Sequence, residues 1–296
     1  MRAVRAQATR GKRTRRLSGS CDASIEHEGR NLLQTTVRML FIGDIFGQPG
    51  RRMVRDALPA LRDEHHPDLV IANAENAAAG FGITPALAEE LLDLGIDALT
   101  SGNHIWDKKE ILAYLTDRPD GRLLRPANYP SGAPGRGLYV GRTSAGLTYA
   151  VINLQGRVFM PSIDCPFRAA DALLAQIPPE VKLKIVDFHA EVTSEKMAMG
   201  WYLDGRATAV VGTHTHISTA DETILPHGAA YITDTGMTGP YDSVIGMEKQ
   251  GVIEKFLDQL PRRFDVAKDD VRLSGVLIEA DPETGRARAI QRILRK

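Results

Sequence analysis

From Val37 onward the chain alternates short β-branched and aliphatic runs with stretches in which apolar positions return every three or four residues. That alternation predicts an α/β fold whose strands are joined by crossovers. Met39 to Gly43 reads as a buried strand, Gly50 to His65 as a helix interrupted near Pro59, and Leu69 to Ala72 as the next strand. Thr84-Pro85 supplies an N-cap and a first-turn proline for a helix over Ala86 to Leu94, stopped by Gly95. Ala98 to Thr100 is a short strand, and Asp107-Lys108-Lys109-Glu110 has the spacing of a capping box opening a helix to Leu115. Beyond a Pro/Gly-rich loop from Arg125 to Gly137, strands are expected around Leu138 to Val140, Leu147 to Asn153, Lys182 to Phe188, Ala207 to Gly212 and Ala229 to Thr233. A helix from Ser194 to Leu203 should bury Met197, Met199, Trp201 and Tyr202. Val271 to Ala280 and Arg286 to Leu294, around Asp281-Pro282-Glu283-Thr284-Gly285, form a closing hairpin. No repeat or linker divides residues 37–296.

Composition narrows the class. At 296 residues the chain can bury a large core, and no apolar run of about 18 residues predicts a membrane-spanning helix. Cys21 and Cys165 stand far apart with no C-x-x-C pair, against a disulfide framework or a cysteine-rich zinc site, so a reducing cytoplasm is the expected compartment. The 37 basic and 37 acidic residues are unevenly placed: residues 1–36 hold eight Lys/Arg against three Asp/Glu. No apolar stretch follows Arg15-Arg16 and no lipobox precedes Cys21, so neither secretion signal is expected. Residues 1–36 are expected to be a basic disordered extension or a start assigned too early, with a nucleic-acid-binding arm as the alternative. The remaining body is mildly acidic, so no long nucleic acid is expected as a partner, and no membrane.

Five polar segments each follow a predicted strand: Gly43-Asp44, Asn73-Ala74-Glu75-Asn76, Gly102-Asn103-His104, Asp187-Phe188-His189 and Gly212-Thr213-His214-Thr215-His216. Carboxyl ends of strands are where α/β sheets assemble their sites, so Asp44, Glu75, Asn103, His189 and His214 can meet in one cleft. Carboxylate, amide and imidazole donors without thiolates suit manganese, iron or zinc. H-x-H alone is weak, since its histidines could be packing or capping groups. Unrelated polar residues would not recur five times at one structural station. His65, His66 and His227 sit instead at a helix end and in a turn, where histidine suits dipole and solvent.

In order and content, Gly43-Asp44, Gly102-Asn103-His104 and Gly212-Thr213-His214-Thr215-His216 resemble the GD, GNH and GHxH blocks of the calcineurin-like metallophosphoesterases. Phe46 stands where the usual D-x-H block has its histidine, and no GDxxD block supplies a bridging aspartate. Both departures fit the bacterial YmdB-type branch, in which Asn-Ala-Glu-Asn brings a bridging Glu and an additional Asn. The likeness spans about Met39 to Ile293, and its further marks are Ile42 to Gly47, Ser101 to Trp106, Asn153 to Arg157, Asp187 to Glu191 and Thr233 to Pro240.

The resemblance implies one domain over residues 37–296 with a four-layer α/β/β/α sandwich around two central mixed sheets. It implies two metal ions, iron or manganese foremost and zinc as a further candidate. One would be held by Asp44, Glu75, Asn76 and His216, the other by Glu75, Asn103, His189 and His214. His104 would be the catalytic acid or electrostatic group. Such a centre generates a hydroxide between two cations about 3.5 to 4 Å apart. The implied activity is hydrolysis of small phosphodiesters, among them 2′,3′- and 3′,5′-cyclic nucleotides. Arg157 and Phe159 could border the substrate, or Arg157 could be an ordinary surface group. Gly236 to Gly246 could line the cleft or pack a homo-oligomer. Two rivals stand beside this reading: a metal-stabilised regulator acting through a partner, and a metal-dependent amidohydrolase, whose H-x-H would normally come on the first strand.

Overall fold

In the computed structural model, residues 36–296 are described. The expectation of a basic extension, with Cys21 and His27, lies outside the described residues. In chain order the elements are β1 (Val37–Ile42), β2 (Asp44–Ile45), α1 (Gly47–His65), β3 (Leu69–Asn73), α2 (Pro85–Asp93), β4 (Ala98–Thr100), α3 (Glu110–Asp117), β5 (Leu138–Arg142), β6 (Thr148–Gln155) and α4 (Pro166–Leu174). They continue with β7 (Leu183–His189), α5 (Thr193–Leu203), β8 (Ala209–Thr213), β9 (Thr223–Ile224), β10 (Ala230–Ile232), β11 (Met237–Pro240), α6 (Lys249–Asp258), β12 (Val271–Ala280) and β13 (Ala287–Arg295). Among the described residues no helix is long and apolar enough to cross a membrane.

The strands make two mixed sheets, ordered β2-β11-β12-β1-β3-β4, with β13 also on β12, and β5-β6-β7-β8-β10-β9. Side-chain alternation along each strand builds four layers from them. In β1, Val37, Met39 and Phe41 face the second sheet, meeting Val151, Ile185 and Val211, while Leu40 and Ile42 pack under α1, α2 and α3. Ile152, Val186 and Val210 turn the other face of the second sheet toward α4 and α5. The result is the α/β/β/α sandwich that the resemblance implies.

The inward face changes character along its length. Leu69, Ile71 and Asn73 follow one another on β3, Leu183, Ile185, Asp187 and His189 on β7, and Tyr149, Val151 and Asn153 on β6. The apolar layer between the sheets thus ends in a polar layer at the strands' carboxyl ends. Asp187 is buried there and accepts from Asn73 Nδ2 (3.0 Å), Thr100 Oγ1 (2.5 Å) and Thr213 Oγ1 (2.7 Å). Asn153 clamps the two sheets: its Oδ1 accepts Ser101 N–H (3.0 Å) and its Nδ2 donates to Ser101 O (2.9 Å).

Several elements differ from the sequence reading. Helix α1 runs unbroken through Pro59, which is exposed, so water can take the carbonyl that the missing N–H releases. Asp107 does not cap α3, whose preceding residue makes no side-chain cap; it hydrogen-bonds His104 instead. On α5 the buried face is Lys196, Met199, Gly200 and Leu203, at helical spacing, which leaves Met197 and Trp201 in solvent and Tyr202 against Phe167 and Asp171. The Gly236–Gly246 stretch is not all loop. Its first residues form β11, inserted between β2 and the start of β12 where β1 and β12 part. Helices α4 and α6 are not among the elements that the pattern predicts; α6 buries only Val252.

Asn153→Ala would leave both the N–H and C=O of Ser101 unpaired in a dry layer. We expect a loss of about 2 to 4 kcal/mol in urea unfolding with circular dichroism unchanged at zero denaturant.

Candidate metal centre

All eight positions singled out by the sequence, Asp44, Glu75, Asn76, Asn103, His104, His189, His214 and His216, meet at the carboxyl ends of β1, β3, β4, β7 and β8. Glu75 is central. Its Oε1 lies 3.0 Å from His189 Nε2 and accepts from Asn76 Nδ2 (3.1 Å), and its Oε2 accepts the His104 backbone N–H (3.1 Å). On one side, His189 Nε2 is 3.2 Å from Asn103 Oδ1 and 3.0 Å from His214 Nδ1. On the other, Asn76 Nδ2 lies 3.1 Å from His216 Nε2, and Asp44 stands 4.0 Å from that nitrogen while accepting the His214 backbone N–H (3.2 Å).

The outer nitrogen of each imidazole is tethered, which turns its inner nitrogen toward the cluster. Thr213 Oγ1 donates to Asp187, so it accepts from His189 Nδ1 (2.8 Å). His214 Nε2 donates to Glu191 (3.0 Å), and His216 Nδ1 donates to the Ile245 carbonyl (2.9 Å). His189 Nε2, His214 Nδ1 and His216 Nε2 therefore aim inward. Burial holds His214 down to about 3 and also lowers His216, so both are neutral. Burial pushes His189 the same way, but the Glu75 carboxylate beside it outweighs this and raises it to about 9. Glu75 in turn is pushed up by burial, yet His189 and its neighbours hold it at about 2.

The backbone here is built for close approach. His214 (φ +102°) and His216 (φ +67°) both occupy a region that L-residues rarely adopt. Asp234 supports that loop: it accepts from Thr215 N–H (3.1 Å), Thr215 Oγ1 (2.8 Å) and Gly236 N–H (2.8 Å) while paired with Lys196 Nζ at 2.6 Å, both side chains buried. Gly102 has no room for a side chain, since a Cβ would stand 2.1 Å from His189 Cδ2 and 2.5 Å from Glu75 Oε2.

The donor set fits a metal. Asp44 Oδ1 and Asn76 Oδ1 are buried oxygens with no hydrogen-bond partner, a costly state unless a cation completes it. Glu75, His189 and His214 present one ligand atom each within 4.8 Å of one another. The cluster opens into a cleft of about 400 Å³ that includes Phe46, Phe81, His104, Glu191, Val244 and Ile245 in its lining. Phe46, standing in place of a histidine, packs edge-on to His216 (5.3 Å) rather than offering a donor. A larger cleft of about 550 Å³ at α1 and β12 contains none of the eight positions. Of the two openings for Gly236 to Gly246, its end at Val244 and Ile245 lines the cleft. Arg157 and Phe159 do not: the Arg157 backbone N–H is held by Glu195 (3.1 Å), and Phe159 is 90% exposed.

Asp107, Asp187, Thr213, Glu191, Asp234 and Lys196 escaped the sequence reading as supporting groups. Asp187 had a usable signal, because D-x-H within a strand puts carboxylate and imidazole on one face. Lys196 and Asp234 had none, since 38 residues and three intervening strands separate them.

A two-sheet sandwich with this cluster at its strand ends is metallophosphoesterase-like. The family model described as YmdB-like protein matches residues 40–293, and the chain belongs to that family. It is 52% identical over 258 residues to a Bacillus subtilis (strain 168) protein named 2′,3′-cyclic-nucleotide 2′-phosphodiesterase, covering 87% of this chain and 97% of the relative. The crystal structure of a hypothetical protein from Thermus thermophilus superposes with a TM-score of 0.80 at 43% identity, covering 87% of this chain and 98% of that one. A phosphatase structure from Mycoplasma pneumoniae gives 0.81 at 35% identity, covering 88% and 93%.

Gly102→Ala should displace His189 and Glu75 without unfolding the protein. After manganese loading and desalting, elemental analysis is expected to show at least half of the wild-type metal lost, with an unchanged far-ultraviolet spectrum.

Proposed function

We propose that this protein is a dinuclear metal-dependent phosphodiesterase acting on small phosphodiesters, foremost 2′,3′-cyclic nucleotides, within one catalytic domain over residues 37–296. The observation that carries the reading is the pair of unpartnered buried oxygens, Asp44 Oδ1 and Asn76 Oδ1, set among three inward-facing imidazole nitrogens. The activity named for the Bacillus subtilis relative supports the substrate class. Asp44, Asn76 and His216 would hold one ion, Asn103, His189 and His214 the other, and Glu75 would serve both. Two such ions supply Lewis acidity and acidify a coordinated water. Iron and manganese suit the donors, and zinc binds such ligands tightly in vitro.

The chain's own residues then orient the diester and manage the proton. His104 lines the cleft, and its Nδ1 lies 2.8 Å from Asp107 Oδ2, which fixes the ring with Nε2 turned away from that tether. As water oxygen bonds to phosphorus and the P–O2′ bond breaks, His104 Nε2 gives its proton to the departing O2′, leaving a nucleoside 3′-phosphate. Asp107 accepts the Nδ1 proton and offsets the charge of the imidazolium, the form of His104 that carries a proton on Nε2 to give.

The test is turnover of 2′,3′-cyclic AMP, 3′,5′-cyclic AMP and bis-p-nitrophenyl phosphate by manganese-loaded protein. Glu75→Gln keeps the shape but removes the shared anionic oxygen; both metal content and turnover should fall, the latter by about 10³-fold. Full activity with two metals bound would refute the shared role. His104→Asn is expected to cut kcat by about 10²- to 10⁴-fold and Asp107→Asn by about 10-fold, with metal content retained in both. A well-folded, metal-loaded protein inert on every diester would favour the regulatory reading instead.

A further inference from the structure

The cleft has a second half with different chemistry. Beyond the imidazoles its wall is made by Phe81, Val244, Ile245, Val252, Phe256 and Phe264, and no Lys or Arg is among its lining residues. None of those six side chains carries a hydrogen-bond donor or acceptor. The two halves join at His104, whose ring lies edge-on to Phe81 at 5.1 Å. Phe81 is 39% and Phe256 76% exposed, so both rings retain contact area at the mouth. Phe264 is held under Lys255, whose Nζ lies 5.3 Å from its ring centroid.

Resting on the phosphodiesterase reading, we propose that this apolar half is the nucleobase subsite, and that it takes the base by stacking on phenylalanine without reading its hydrogen-bonding edge. A volume of about 400 Å³ is within the range of small-ligand sites. With the phosphate at the polar end, where His104, Thr215 and Glu191 lie, the wall at the other end of the cleft is aromatic and aliphatic. Stacking accepts every base, because each has a π face. A wall without polar groups has no unpaired donor with which to reject a wrong base, so discrimination among bases stays small. The rank order follows ring area, purines ahead of pyrimidines, with adenine and guanine close together.

The test compares kcat/KM of the manganese-loaded full chain for 2′,3′-cyclic AMP, GMP, CMP and UMP and for glycerol 1,2-cyclic phosphate, which has the ester ring and no base. The nucleotides should exceed the base-free ester by about 5- to 100-fold, chiefly through KM, and should differ among themselves by less than about 10-fold. Phe81→Ala and Phe256→Ala, both at exposed positions, should collapse the ratio of nucleotide to base-free ester toward one. Equal handling of the base-free ester by wild type overturns the subsite, as does an equal loss on both substrates in the variants. A second readout does not need turnover: fluorescence of 2-aminopurine riboside 3′-monophosphate, titrated with the same protein, should be quenched on binding, and Phe256→Ala should weaken that binding several-fold. Absent turnover with quenching intact would remove the catalytic reading and keep the base site; turnover without base preference or quenching would do the reverse. Phe256 also shares α6 with the exposed Ile253 and Leu257, and Leu260 lies just beyond its end. If Phe256→Ala dissociates an oligomer and leaves base preference untouched, a second copy of the chain is the true occupant and the proposal falls.

Discussion

Charge buried without water is the constraint on which the rest of this molecule turns. Asp44, Glu75, Asp187 and Asp234 are all withdrawn from solvent around one point, and the buried cationic groups set among them are Lys196 and His189. Desolvating a carboxylate is costly unless charge or hydrogen bonds compensate it. Glu75 is compensated by His189, Asp187 by three donors, and Asp234 by Lys196 and the Thr215 loop. For Asp44, burial together with the like charges of Glu75, Asp234 and Asp187 outweighs His189 and one backbone N–H, and its carboxyl is pushed well above the usual range. The surplus negative charge is concentrated where two oxygens lack partners, and a pair of cations there would settle both deficits at once.

The fold arranges this by grading a single surface. The layer between the sheets is apolar for most of its length and polar only in its last row, so the same strands that drive collapse also carry the cluster. Helices contribute little to the centre directly. Their part is to cover the outer sheet faces and, through Lys196 on α5, to brace the loop of His214 and His216 in its uncommon backbone conformation.

Much of this was legible along the chain, for a definable reason. Strand runs, the Thr84-Pro85 helix start and the five strand-end segments are local features, written in consecutive residues, and the structure brings the eight marked positions together. Partnerships formed across the fold were not legible. Asp107 reads as a helix cap because capping-box spacing and a histidine tether look alike in sequence. Met197 and Trp201 read as core because hydrophobicity does not say which side of α5 faces β8. The short β11 exists only because β1 and β12 diverge and leave a gap, a fact about strands more than 30 residues away from it. Arg157 drew attention by its charge, but Glu195 holds its backbone outside the cleft.

The pairing of β1 with β12 also sets a schedule. Val37 lies opposite Ala280, and Ile42 opposite Gly275. At about 5 to 20 residues per second, a ribosome needs on the order of 10 to 50 s to deliver β12 after β1 has emerged. Until then the strand at the middle of the first sheet has an open edge, and β11, which seats Asp44, has not been joined to it. The sheet that holds Asp44 and Glu75 at its strand ends is therefore closed only when the β12–β13 hairpin pairs with β1.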